Sequence, residues 1–143
     1  MKSHYRITSL VLLLNVFLAS AFLACASSDI EPSESALVER GERLYETTCQ
    51  QYHGDIDGIG TTGGAPPHNR DGHTWHHPDA QLKDWILNGK PFTLMAAFKG
   101  KLSERDVDRI LVFIKTWWAE EQRQSQANVS QRYQEALDKS SSR

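Results

Sequence analysis

The run from Val107 to Trp118 constrains this chain most, because Val107, Ile110, Leu111, Phe113, Ile114, Trp117 and Trp118 recur at helical intervals. Side chains so spaced share one face of an α-helix, whereas a strand alternates its faces residue by residue. Ser103 and Asp106 stand just before the run. That is the reciprocal arrangement in which a cap hydroxyl and a first-turn carboxylate satisfy each other's backbone amides. So apolar a helix face needs partners to cover it.

Two other segments supply those partners. Ser35 to Tyr52 sets Leu37, Gly41, Leu44, Tyr45 and Thr48 on one narrow face. A glycine inside a helix costs about 1 kcal/mol against alanine, so Gly41 is expected to let another helix approach closely. Pro78 to Asn88 restarts the helical period through Leu82, Trp85, Ile86 and Leu87, with Asp79 in its first turn and Gly89 as its stop. Gly54 to Pro67 and Pro91 to Lys101 read as loops, and no alternating strand pattern or internal repeat is present. The expected fold class is therefore all-α.

At 143 residues, 39% hydrophobic and 24% charged, the chain has material for one globular domain. A formal charge of -2 leaves no basic excess to bind nucleic acid. Cys25 and Cys49 are too few for a disulfide framework, and neither has a partner at zinc-site spacing. Residues 1–25 carry Lys2 and Arg6 ahead of an apolar run that closes on small residues, the layout of a secretory signal peptide. Phe22-Leu23-Ala24-Cys25 also resembles a bacterial lipobox, and cleavage after Ala26 is the alternative. Export to the bacterial periplasm is expected, with membrane attachment only through lipid on Cys25. Residues 26–35 read as a flexible tether, 36–120 as the folded domain, and 121–143 as a polar tail with Val129, Tyr133 and Leu137 at helical spacing.

Cys49-Gln50-Gln51-Tyr52-His53 has the frame of the c-type haem attachment motif Cys-x-x-Cys-His, with Tyr52 in place of the second cysteine. One helical turn puts Cys49 and His53 on the same face, so that a thiol can add to a haem vinyl group while the imidazole reaches the iron. A buried cysteine beside a polar helix end is the plainer reading of that spacing.

Other segments follow in order. Gly41-Glu42-Arg43-Leu44-Tyr45, then His53-Gly54 with its glycine-rich loop and Gly64-Ala65-Pro66-Pro67, then Leu94-Met95-Ala96-Ala97-Phe98, then Ile110 to Trp118. Together they resemble a single-haem class I cytochrome c, in which a Gly-x-x-Leu-aromatic helix, a Met-Pro-Ala-Phe segment and a last helix occupy those places. The resemblance implies a small helical domain packed around one haem c, with its first and last helices crossing at Gly41. It implies His53 as the proximal iron ligand, Met95 as the distal ligand and Cys49 as the single thioether. It further implies an electron carrier rather than an enzyme, working with redox partner proteins of a respiratory or periplasmic chain. The alternative from another class is a haem-free pseudo-cytochrome that acts as a periplasmic binding or metal-binding module.

His68, His73, His76 and His77 lie within ten residues and invite copper or zinc on composition. Asp71 to Asp79 resembles the link from loop to middle helix in some bacterial members of the same family, which implies hydrogen bonding and helix entry instead. Gly58-Ile59-Gly60-Thr61-Thr62-Gly63 spells a dinucleotide fingerprint, but it follows a helix rather than a strand. Asp55 and Asp57 open like a calcium loop that Ile59 and Pro66 then break.

Overall fold

The computed structural model describes residues 32–142. The expected export segment 1–25 and the tether up to residue 31 lie outside the described residues.

Helix α1 (Glu34–Thr48) starts at Ser33, whose hydroxyl accepts the Ala36 amide at 3.3 Å. Helical order thus begins inside the segment read as tether. Cys49 interrupts the helix, and α2 (Gln50–His53) resumes it for a single turn before Gly54 ends it at φ 74°. A 3-10 turn, Thr74–His76, precedes α3 (Asp79–Asn88), which Gly89 terminates at φ 84°. Helix α4 (Glu104–Lys115) carries the capping box read from Ser103 and Asp106, and α5 (Glu120–Ser141) completes the fold. The described residues hold no strand, only isolated bridges between His53 and Thr61 and between Lys99 and Leu102. The architecture is all-α, as the periodicity requires.

Helix α4 buries Val107, Ile110, Leu111, Phe113 and Ile114, and α1 lies across it. A Cβ on Gly41 would fall 2.0 Å from the Arg109 carbonyl oxygen and 2.8 Å from Cβ of Phe113. Only glycine allows that approach. Tyr45, one turn further along α1, is ringed by Phe113 at 5.7 Å and Trp117 at 5.0 Å between centroids. Trp117 and Trp118 follow the helix in a turn rather than continuing it, because the chain leaves helical geometry after Lys115.

The tail read as polar is helical. Its first half docks through polar groups: Gln126 is buried and donates to Oδ1 of Asp79 at 2.7 Å, while Gln122 donates to the Arg70 carbonyl at 2.7 Å. Ser130 accepts the Asp79 amide at 3.0 Å, and Lys115 bridges the same carboxylate at 2.6 Å. From residue 131 onward every described position of α5 is exposed.

Candidate functional site

The short α2 turn sets the site. The His53 amide donates to the Cys49 carbonyl at 3.0 Å, so the two residues stand one helical turn apart on consecutive levels. Cys49 packs against the apolar core, and burial pushes its thiol up to about 12. A thiol so held stays protonated at neutral pH and resists oxidation.

His53 is fixed by the loop that follows it. Its Nδ1 lies 2.8 Å from the Pro66 carbonyl oxygen. Because a carbonyl can only accept, Nδ1 carries the proton and Nε2 keeps its lone pair. That is the tautomer and the outer hydrogen bond of a metal-binding imidazole. Burial lowers the affinity of His53 for a second proton, with the Pro66 bond opposing it, so the neutral form prevails. The loop is itself held in shape. Asp55 accepts the amides of Asp57 at 3.0 Å and Ile59 at 2.9 Å, and Thr62 returns to the Tyr52 carbonyl at 2.9 Å. Tyr45 donates from inside the core to the Gly54 carbonyl at 2.7 Å, tying the loop's first residue to α1.

His68 lies face to face with His53, the centroids 3.9 Å apart. Its Nδ1 is 2.7 Å from Oγ1 of Thr74, and its carbonyl accepts Trp118 Nε1 at 2.8 Å. Desolvation holds it well below the usual histidine range, with His53 beside it acting in the same direction.

The histidine cluster of the sequence therefore divides. His68 belongs to the site, whereas His73, His76 and His77 gather around the 3-10 turn, His73 lying 4.4 Å from His76 and 5.1 Å from His77 by centroid. His76 stacks on Trp75 at 3.6 Å, and His77 pairs with Gln81 at 2.9 Å. These are the contacts of helix entry. Among the described residues no group of three His, Cys, Asp or Glu side chains is arranged to hold a metal ion.

Met95 arrives on a separate loop. Gly89 brings the chain back on itself: a Cβ there would lie 3.1 Å from the Met95 carbonyl oxygen. The amides of Phe98 and Lys99 then donate to the Ile86 and Leu87 carbonyls at 3.0 and 2.9 Å, closing the loop against the end of α3. Met95 is half-buried, and Ala96 is exposed where the resemblance has proline. The structure thus brings Cys49, His53 and His68 together, and no hydrogen bond or ring contact among the described residues ties Met95 to them.

Trp75 adds what sequence reasoning missed. Its indole Nε1 is buried with no hydrogen-bond partner, a condition that costs on the order of 1–3 kcal/mol. An orphaned donor in a compact domain marks a place for an acceptor, and this one stands beside the 3-10 turn where Trp75 stacks on His76. With the His53 tautomer and the half-buried Cys49 thiol, the residues fit haem c. No sequence signal singles out the Pro66 carbonyl or the Trp75 donor, since both depend on where distant segments land.

Residues 36–114 match the protein family described as cytochrome C oxidase, cbb3-type, subunit III. Dihydro-heme d1 dehydrogenase of Pseudomonas aeruginosa is 33% identical over 93 residues, covering 60% of this chain and 18% of the relative. The chain accordingly spans less than a fifth of that relative's length. No solved structure matches the chain significantly.

Proposed function

Since the chain belongs to the cytochrome c family described by subunit III of cbb3-type oxidases, we propose that it is an exported one-electron carrier holding a single haem c. The observation that carries this reading is His53, held by the Pro66 carbonyl with Nε2 left to bind iron. Haem supplies an Fe(III)/Fe(II) couple that takes up and releases one electron. Cys49 would hold it covalently, through a single thioether. Met95 would be a second residue to hold the iron, and a thioether sulphur among its ligands would raise the potential. Trp75 would donate to a haem carboxylate.

The partners are redox proteins of a respiratory or periplasmic chain, and the place of work is the periplasm, with Cys25 as a point of lipid attachment. The relative is a dehydrogenase by name, and a dehydrogenation releases electrons that a carrier domain can accept. A redox titration of the exported protein tests the reading. We expect a one-electron wave whose midpoint falls in Met95→Ala, because losing sulphur ligation favours the ferric state. A chain with no redox-active band would overturn it.

A further inference from the structure

No step of the proposed carrier uses His68, yet separate segments of the chain fix its place. Its Nδ1 pairs with Oγ1 of the buried Thr74 at 2.7 Å, and its backbone carbonyl accepts Nε1 of the buried Trp118 at 2.8 Å. The Tyr45 ring meets it edge-on at 6.0 Å. Thr74 belongs to the 3-10 turn, Tyr45 to α1, and Trp118 lies past α4, beyond residue 114 where the family match ends. So held, the His68 ring lies 3.9 Å from that of His53 and 20° from parallel.

His53 needs such a neighbour. The Pro66 carbonyl fixes its Nδ1 at 2.8 Å, but a carbonyl oxygen accepts over a broad range of directions, and the last torsion of a histidine has broad wells. That one bond sets the tautomer and leaves the plane of the ring loosely set. A flat face in contact removes the remaining rotation, because turning out of parallel at this spacing drives ring atoms into His68. An aliphatic side chain would cover His53 without favouring one plane.

We propose that His68 is a positioning residue, which fixes the plane of the His53 imidazole on the iron and favours the ferric state. His53 carries more positive charge when the iron it holds is ferric, and the electron-rich face of a neutral ring beside it stabilises that charge. His68 thus keeps the potential lower than an aliphatic residue would. The inference rests on the haem reading, with His53 as ligand.

The test uses the exported, haem-loaded chain, its haem content read first from the pyridine haemochrome spectrum. The electron paramagnetic resonance spectrum of the ferric form reports the plane of the ligand, and a redox titration gives the midpoint. We expect one narrow set of g values in the wild type and a broadened or split set, with a raised midpoint, in His68→Leu. His68→Phe restores a flat face and should return the narrow set. Thr74→Val frees the His68 ring while leaving it in place, and should move both readouts the same way by less. An unchanged spectrum or an unchanged midpoint in His68→Leu would overturn the proposal, as would His68→Phe as broad as His68→Leu. Where His68→Leu does not fold, unchanged readouts in Thr74→Val overturn it. A wild-type chain that takes up no haem removes the haem reading and this proposal together, whereas a loaded chain indifferent to His68 removes this proposal alone.

Discussion

The imidazoles of His53 and His68 lie face to face, 3.9 Å apart at their centroids and 20° from parallel. Each is desolvated, and a proton on either would set a cation against the other ring. The pair is therefore stable as two neutral rings, the state in which His53 can serve as a ligand.

A pH dependence follows for the haem-free protein. His68 titrates well below 6.5 in the fold and near 6.5 when unfolded. Between those values the unfolded chain binds a proton that the folded chain does not, so stability is full above 6.5 and falls as the pH drops. Denaturant midpoints measured from about pH 7 down to about pH 5 should decline. His68→Leu should flatten that slope, and an unchanged slope would contradict the burial argument.

Gly41→Ala should be severe. The added methyl meets the Arg109 carbonyl oxygen, which is backbone and cannot rotate away. We expect a loss of at least about 3 kcal/mol, read by chemical denaturation, because α1 must move off α4. A loss below about 1 kcal/mol, the range of surface substitutions, would show that the helices can separate cheaply.

The two halves of α5 should behave differently. Ending the chain after Ser130 removes a stretch whose described residues are all exposed, and should leave the thermal midpoint of the domain almost unchanged. Gln126→Leu removes the donor to Asp79 and the His77 carbonyl inside a buried contact, and should cost about 1–3 kcal/mol.

Helix identity was legible from local information. The α4 face and its Ser103 and Asp106 cap lie within one segment, and Gly41 announced a close approach because glycine is out of place in a helix. The docking of α5 was not legible, since a glutamine does not look like a core residue until Asp79 and His77 are found beside it. The division of the histidine cluster was hidden for the same reason: His68 leaves its sequence neighbours to stack on His53. Motif order alone proposed Cys49, His53 and Met95 as site residues. The Pro66 carbonyl and the Trp75 donor appear only when the loops close.

Trp75→Phe separates the empty fold from the loaded one. Removing a buried donor that has no acceptor should leave the haem-free protein as stable as before, or slightly more so. With haem bound, the same change would delete the proposed hydrogen bond from Trp75 to a haem carboxylate. Thermal midpoints of the two forms should move apart, and equal shifts in both would contradict the assigned role.

Whether Cys49 and His53 hold one haem c is decided by a pyridine haemochrome spectrum. The protein would be exported from a host with cytochrome c maturation genes, alongside a haem stain of the denatured chain. Haem is expected to stay on the denatured chain, with a band between the positions of free haem and of haem with two thioethers, and to be lost in Cys49→Ser. A folded product carrying no haem, or haem that leaves on denaturation, would contradict it.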